Sequence, residues 1–314
     1  MSLDSAVCLA APDTVEWGRV NWVYAIPIVG IHLLACMAFV PGLFSWTGLV
    51  AALVGVHVFG QAINVCYHRQ LTHRSFKTPQ WLEYLFVLGA LCCLQDTPGK
   101  WVATHRLHHR HSDEQPDPHS PLVGFLWAHI GWLLVRNRAT KSMATYQRYA
   151  KDVLSDRFYM AMEKSPWVVF YVYAIHAVLF FAVGLLIGRW TGGTWAAGLE
   201  FGLSLLFWGV FVRTVLVWHI TWSVNSLTHL TGYRNYETNE NSRNSWLVAL
   251  LTVGEGWHNN HHHDQASASN QHRWWELDVS YYEIKMLQWV GLAWDVVPPR
   301  HKRRAEDGAA RVSA

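Results

Sequence analysis

Residues 22–40, WVYAIPIVGIHLLACMAFV, are followed by PGL at 41–43 and then by FSWTGLVAALVGVHVFGQAINVC at 44–66. Each apolar run is close to the ~20 residues an α-helix needs to cross hydrocarbon, and three residues separate them. The pattern predicts two membrane crossings joined as a tight hairpin. Apolar runs at 167–187 and 197–218, split by the turn-rich GRWTGGTW, predict a second hairpin. Between the pairs, residues 67–166 are dense in His, Arg, Lys and Asp and cannot lie in lipid. The stretch after residue 218 is again polar and aromatic. Four crossings place both polar regions, about 67–166 and 219–314, on one side together with both termini.

The composition agrees. Half of the 314 residues are hydrophobic (51%) and there are 19 tryptophans, more apolar material than one soluble core needs and a residue that collects at lipid headgroups. Arg and Lys enrich the 67–166 segment and the PPRHKRR tail, whereas the opposite loops hold only Arg189, so the polar face and both termini are expected in the cytoplasm. If the source is bacterial, the membrane is the inner one. A net charge of +3 with scattered basic residues argues against nucleic-acid binding. No CxxC pair occurs among the five cysteines, so disulfide frameworks and structural zinc are disfavoured. No cleavable signal peptide is expected at the start. Residues 78–94 and 279–297, apolar but short or amphipathic, read as helices lying on the interface. The expected architecture is all-α: one membrane domain over 1–314 with four transmembrane helices in two hairpins under a helical cytosolic cap.

The chemistry has to rest on histidine. His68 and His73 stand five apart at the end of the second crossing. His105, His108 and His109 stand at i, i+3 and i+4, one face of a helix, and His258, His261 and His262 repeat that spacing. His229 stands alone in NSLTH. Neutral imidazole is the commonest protein ligand of mid- and late-row metals, and two such faces suggest two ions. Spacing does not choose the metal. A separation of five turns about 140° around an α-helix, so His68 and His73 are expected to straddle a helix end. Asp113, Asp117 and Glu255 lie beside the clusters, either as acceptors for ring N–H groups facing away from a metal or as solvated loop acids. Asn225, four before His229, shares its helical face and is placed to hold a metal-bound water. The other ten histidines, His32, His57, His111, His119, His129, His176, His219, His263, His272 and His301, are read as supporting or structural.

HRQLTHRSFKTP (68–79), WVATHRLHHRHSDEQPDPHSP (101–121), WSVNSLTH (222–229) and GEGWHNNHHH (254–263) together resemble the integral-membrane acyl desaturases of the stearoyl-CoA delta-9 type, over about 60–298. The resemblance implies a four-crossing fold with a cytosolic di-iron centre, two Fe2+ ions, that uses dioxygen and two electrons to remove two hydrogens from an acyl chain. It implies the ligands His68, His73, His105, His108, His109, His229, His258, His261 and His262, with Asn225 acting through water. Gln95, Trp101 and Thr221 fall where the family's tunnel bends. The animal enzymes carry an Arg-Asp pair that helps hold coenzyme A where this chain has Ala103 and Thr104, so a membrane lipid stands beside acyl-CoA as substrate. Leu71 replaces a bulky aromatic, a pattern closer to bacterial and cyanobacterial relatives. No HPGG segment of a fused cytochrome occurs, so the electron donor is expected to be a separate ferredoxin or b-type cytochrome. Arg300, Lys302, Arg303 and Arg304 either dock that donor or anionic lipid, or form a solvated tail. A related hydroxylase, ketolase or alkane monooxygenase is the nearest alternative, and a membrane metal transporter or sensor a more distant one.

Overall fold

The computed structural model describes residues 8–300, 302 and 303. Four helices are long and apolar enough to cross a membrane: the first span Trp22–Phe39, the second Trp46–Thr72, the third Val168–Gly192 and the fourth Trp195–Leu227. The first and third agree with the expected segments. The second and fourth, at 27 and 33 residues, run well past what hydrocarbon requires. Their apolar signal stops near 66 and 218, while the helical backbone continues and carries polar residues onward.

Sequence also overstated the turn between the third and fourth spans. Most of GRWTGGTW is helical; the reversal is confined to Gly193, in the left-handed region at φ 70°, and Thr194, whose side chain accepts from Ala197 N at 3.1 Å. Glycine serves here because a Cβ penalises that φ. The two helices then touch through small residues. A Cβ on Gly184 would lie 2.8 Å from Gly202 Cα, and one on Gly188 would lie 2.7 Å from Ala197 O. Such backbone contact is how helices associate where lipid and side chains are equally apolar. The first and second spans each pack on the fourth around Phe207–Val212, which is π-helical.

Exposed tryptophans mark both ends of the bundle. Trp22 and Trp167 stand at the start of the first and third spans, and Trp46, Trp190 and Trp195 at the opposite end. Two belts of this kind are expected at the two water-lipid interfaces.

An all-α fold needs one correction. Val15–Val20 pairs antiparallel with Val135–Asn137, through Val15↔Asn137, Glu16↔Arg136 and, past an irregularity, Val20↔Val135. The strands are too short and too far apart in sequence to leave a readable alternation. Helices Gln80–Leu91 and Val279–Trp289 occupy the two segments expected at the interface. Outer residues Trp81 and Leu85 of one, and Met286 and Trp289 of the other, are exposed.

Candidate metal centre

Three helical pieces and one helix end bring the histidines together. The second-box helix Pro98–His111 presents His105, His108 and His109, and the short helix His258–His263 presents His258, His261 and His262. His229 follows directly on the last turn of the fourth span. The first box uses a wider turn. Ala62–Thr72 is π-helical and His73 N donates to His68 O at 3.1 Å, an i to i−5 bond. That turn answers the spacing of five: it brings the two rings to 4.8 Å between centroids, where an α-helix would splay them. His73 lies at the helix end, as the spacing predicted.

The nine imidazoles fall into two groups. His68, His73, His105, His109 and His261 form one, and His108, His229, His258 and His262 the other, with the ligand nitrogens of each group within 4.8 Å of one another. Nε2 atoms face Nε2 atoms: His109 with His105 at 3.0 Å, His261 with His109 at 3.0 Å, His68 with His261 at 3.1 Å and His262 with His258 at 3.0 Å. The buried Nε2 atoms of His73 and His229 have no hydrogen-bond partner among the described residues. Burial, then neighbouring imidazoles, hold His73, His105, His109, His258, His261 and His262 well below the ordinary histidine range, so their lone pairs are free at neutral pH. Converging neutral nitrogens with orphaned members are what a pair of imidazole-bound cations would satisfy, so the residues fit a dimetal centre.

Acids stand behind the rings. His68 Nδ1 lies 2.8 Å from Glu255, His108 Nδ1 3.0 Å from Asp117, and His229 Nδ1 2.9 Å from Asp113. All three acids are buried, not solvated. Burial alone would raise the Glu255 carboxyl, but Arg69 and His68 outweigh it and bring it down to about 2. Asp113 and Asp117 are likewise held below the usual carboxylate range by His229 and His108 against the cost of burial.

Several contributors left little trace in the sequence. Arg69 is buried and donates to Glu255 Oε1 (Nη2, 2.6 Å), to both oxygens of Asp278 (2.9 Å each) and to Ala268 O (2.7 Å). Its only sequence signal is a cation beside a box histidine. Glu240 stands 3.8 Å from His229 Nδ1 and 3.7 Å from His262 Nδ1, in a stretch with no spacing to flag it. Asn260, on the far face of the third box, donates to Glu276 Oε2 at 2.8 Å and to Asn270 O at 2.9 Å.

A cavity of about 270 Å³ opens against this centre. His68, His105, His258 and Glu255 form part of its wall, and so do Asn225, Gln95, Trp101 and Thr221. The remaining histidines divide. His119 lies against His108 with centroids 4.4 Å apart, and His32, His219 and His129 form a row joined at 3.1 and 3.0 Å on a different side of the fourth span. His57 meets Glu283 at 2.7 Å, His176 lies 3.4 Å from the buried Arg213, and His263 and His272 pack on Tyr236. His111 is half-buried at the end of the second-box helix. In the tail, Arg303 is tied to Asp264 at 2.7 Å and Lys302 is exposed, while His301 and Arg304 lie outside the described residues.

The sequence profile of the family described as fatty acid desaturase matches residues 43–287. An sn-1 stearoyl-lipid 9-desaturase of Anabaena variabilis is 43% identical over 280 residues, 88% of this chain and 94% of that protein. A protein of the same description from Synechocystis is 42% identical over 88% of this chain and 81% of its own length. An acyl-CoA 5-desaturase of Anemone leveillei is 38% identical over 92% of this chain and 84% of its own. With a profile covering most of the chain and two relatives above 40% identity over 94% and 81% of their lengths, the chain belongs to the fatty acid desaturase family.

Proposed function

We propose that the protein introduces a cis double bond at the delta-9 position of a saturated fatty acyl chain, using two iron ions held by the nine histidines. His68, His73, His105, His109 and His261 would hold one ion. His108, His229, His258 and His262 would hold the other, whose smaller imidazole set leaves a place for a water held by Asn225. The observation that carries this reading is two groups of converging, largely buried imidazoles, three of which (His68, His105 and His258) form part of the wall of an otherwise largely apolar and aromatic cavity. The relatives' names supply the delta-9 position.

A saturated methylene offers no proton that a side chain can remove, so when bound the iron supplies the oxidising chemistry that the protein lacks. The balance is simple. The acyl chain gives up two hydrogens, a separate ferredoxin or b-type cytochrome gives two electrons, two protons are taken up, and dioxygen leaves as two waters. This chain's part is to hold and exclude. Glu255, Asp117 and Asp113 accept from His68, His108 and His229 and fix which ring nitrogen faces inward. Trp101, Gln95 and Thr221 shape the cavity wall where a chain would bend, and a bound acyl chain would exclude water from the reacting carbons. The four spans form two hairpins in the bilayer, with the histidines in a cap and both termini in the cytoplasm; the charge asymmetry of the loops and the two tryptophan belts support that orientation.

Fatty acids of a desaturase-deficient host carrying this chain, beside His108→Ala, are the test. A new delta-9 monoene that vanishes in the variant is expected. Metal-loaded protein with a working donor that yields a product heavier by oxygen would replace the desaturase by the hydroxylase reading.

A further inference from the structure

Away from the metal centre the fold joins three further imidazoles into one hydrogen-bonded row. His32 Nδ1 lies 2.7 Å from Ile28 O, His32 Nε2 lies 3.1 Å from His219 Nε2, and His219 Nδ1 lies 3.0 Å from His129 Nε2. His129 Nδ1 then lies 3.0 Å from Ser226 Oγ, which donates to Trp222 O at 2.9 Å. The rings come from three elements: the first span, the fourth span and the short helical turn Trp127–Gly131. Among the described residues no carboxylate, ammonium or guanidinium bonds to any of them. Tyr24 of the first span is bonded to Asp96, and Arg213 of the fourth to Gly209 O and Cys92 O. Cys36 and Glu200 stand toward the far ends of those spans. The strand that meets the turn through Trp17 and Trp127 pairs Glu16 with Arg19 and Arg138.

Counting hydrogens shows what the row can hold. It has five links, and each end is a carbonyl oxygen that can only accept. Each neutral imidazole brings one hydrogen and the Ser226 hydroxyl brings another, one fewer than the links require. A single added proton completes the row. A second would set N–H against N–H and put like charges on neighbouring rings. Linked, the row therefore takes up one proton at most. Released into water, each of the three imidazoles takes one near the ordinary value of about 6.5. Burial already holds His129 below that value, with the Trp222 carbonyl working against it. The released state binds more protons than the linked one, so the stability of the linked row is present above the ordinary histidine value and is lost as pH falls.

The row backs the cavity. By ring centroids, His32 lies 5.8 Å from Trp218, and His219 and His129 lie 5.3 and 5.8 Å from Trp222. Those two indoles stack on each other at 5.6 Å and form part of the cavity wall. Ile28 of the first span and Trp132, directly after the turn, belong to the same wall. His219 is exposed, so protons reach the row from outside without crossing the cavity.

We propose that His32, His219, His129 and Ser226 form an acid-released latch on the cavity wall. Linked at neutral pH, they hold the first span and the Trp127–Gly131 turn against the fourth span; acidification frees both and opens the cavity beside Trp218 and Trp222. The device needs no metal and does not depend on the reaction proposed above.

Hydrogen exchange of the iron-loaded full chain in detergent, read peptide by peptide by mass spectrometry at about pH 7 and 5.5, tests this. After correction for the intrinsic effect of pH, amide protection in residues 24–31 and 125–134 should fall at least about fiftyfold, the effect of two extra protons on the released state. The Trp246–Thr252 helix, which carries none of these groups, should stay protected. Replacing all three rings, His32→Phe with His129→Phe and His219→Phe, should hold the change within about threefold, because nothing in the row then titrates. Melting temperature and bound iron on the same samples identify a misfolded variant; if the triple variant is one, His219→Gln, which breaks the row at its middle, should give a shallower fall than the parent. Unchanged protection in the parent, a fall shared by Trp246–Thr252, or folded variants that fall as steeply as the parent would overturn the latch.

Discussion

The interface between the third and fourth spans and the histidine centre are both tightly packed, and they are held by opposite means. Gly184, Gly188, Gly198 and Gly202 let two backbones approach within contact of each other with hardly a polar side chain involved. At the centre nearly every buried side chain is polar, and behind the imidazoles the packing is a chain of donors and acceptors through Glu255, Asp113 and Asp117 to Arg69 and Asp278, while the Nε2 atoms of His73 and His229 face inward unpaired among the described residues. The first depends on the absence of atoms and the second on charges held by their partners. The bundle should therefore tolerate polar errors poorly and volume errors worse, while the centre should fail most sharply when one partner of a charge is removed.

The largest effect is expected from Arg69→Met. It leaves Glu255 and Asp278 buried without their cation, a loss of about 3–5 kcal/mol for breaking such a pair. Bound iron should fall with stability, because Glu255 also orients His68; retention of full iron in a destabilised protein would show that the network serves the fold alone. Gly188→Leu comes next. Overpacking typically costs about 1–3 kcal/mol, seen as a lower melting temperature in detergent, but the iron bound per folded molecule should not change. If it did, the two regions would be coupled and the contrast between them would be wrong.

The smallest effect is expected at the rim, from Asp152→Asn. Asp152 accepts from Arg106 at 2.7 and 3.0 Å and pairs with Arg74, and Arg106 also holds Leu71 O at 2.7 Å and Thr72 O at 2.9 Å at the end of the first box. Burial would raise its carboxyl, but the two guanidinium groups bring it down to about 2. Because that folded value lies below the unfolded one of about 3.9, the stabilisation is complete above pH 4 and fades as pH falls toward 2. For a partly exposed pair it is at most about 1 kcal/mol. Urea melts of parent and variant should differ at pH 7 and converge near pH 2; a difference that persists in acid would assign the effect to packing.

The spans were legible because lipid imposes one rule on some twenty consecutive residues, and the boxes because a helix repeats its faces every three or four. Both are local patterns. The spacing of His68 and His73 was legible only as an anomaly, since nothing in the residues announces the π-helical turn that resolves it. Asp113, Asp117 and Glu255 were found because each lies close in sequence to a box, whereas Glu240 and Asp278 reach the centre from distant loops and Arg69 reads as any basic residue. The hydrogen bond from the Tyr24 hydroxyl to Asp96 was invisible for the same reason, since 72 residues separate the two. The short sheet was hidden by a separation of more than a hundred residues.

The length of the fourth span has a further consequence. Its 33 helical residues extend about 50 Å, against ~30 Å of hydrocarbon, and Thr221 and Asn225 lie on the excess. For the desaturase proposed above, an acyl chain drawn from the leaflet would have to rise out of it to meet the histidines. Passing from lipid into a largely apolar cavity, it would neither forfeit nor regain the ~0.8 kcal/mol that each methylene exchanges with water. For such a chain the hydrophobic effect would give no net pull. Selection would fall to the shape of the cavity, as it does for a ligand transferred between two oils.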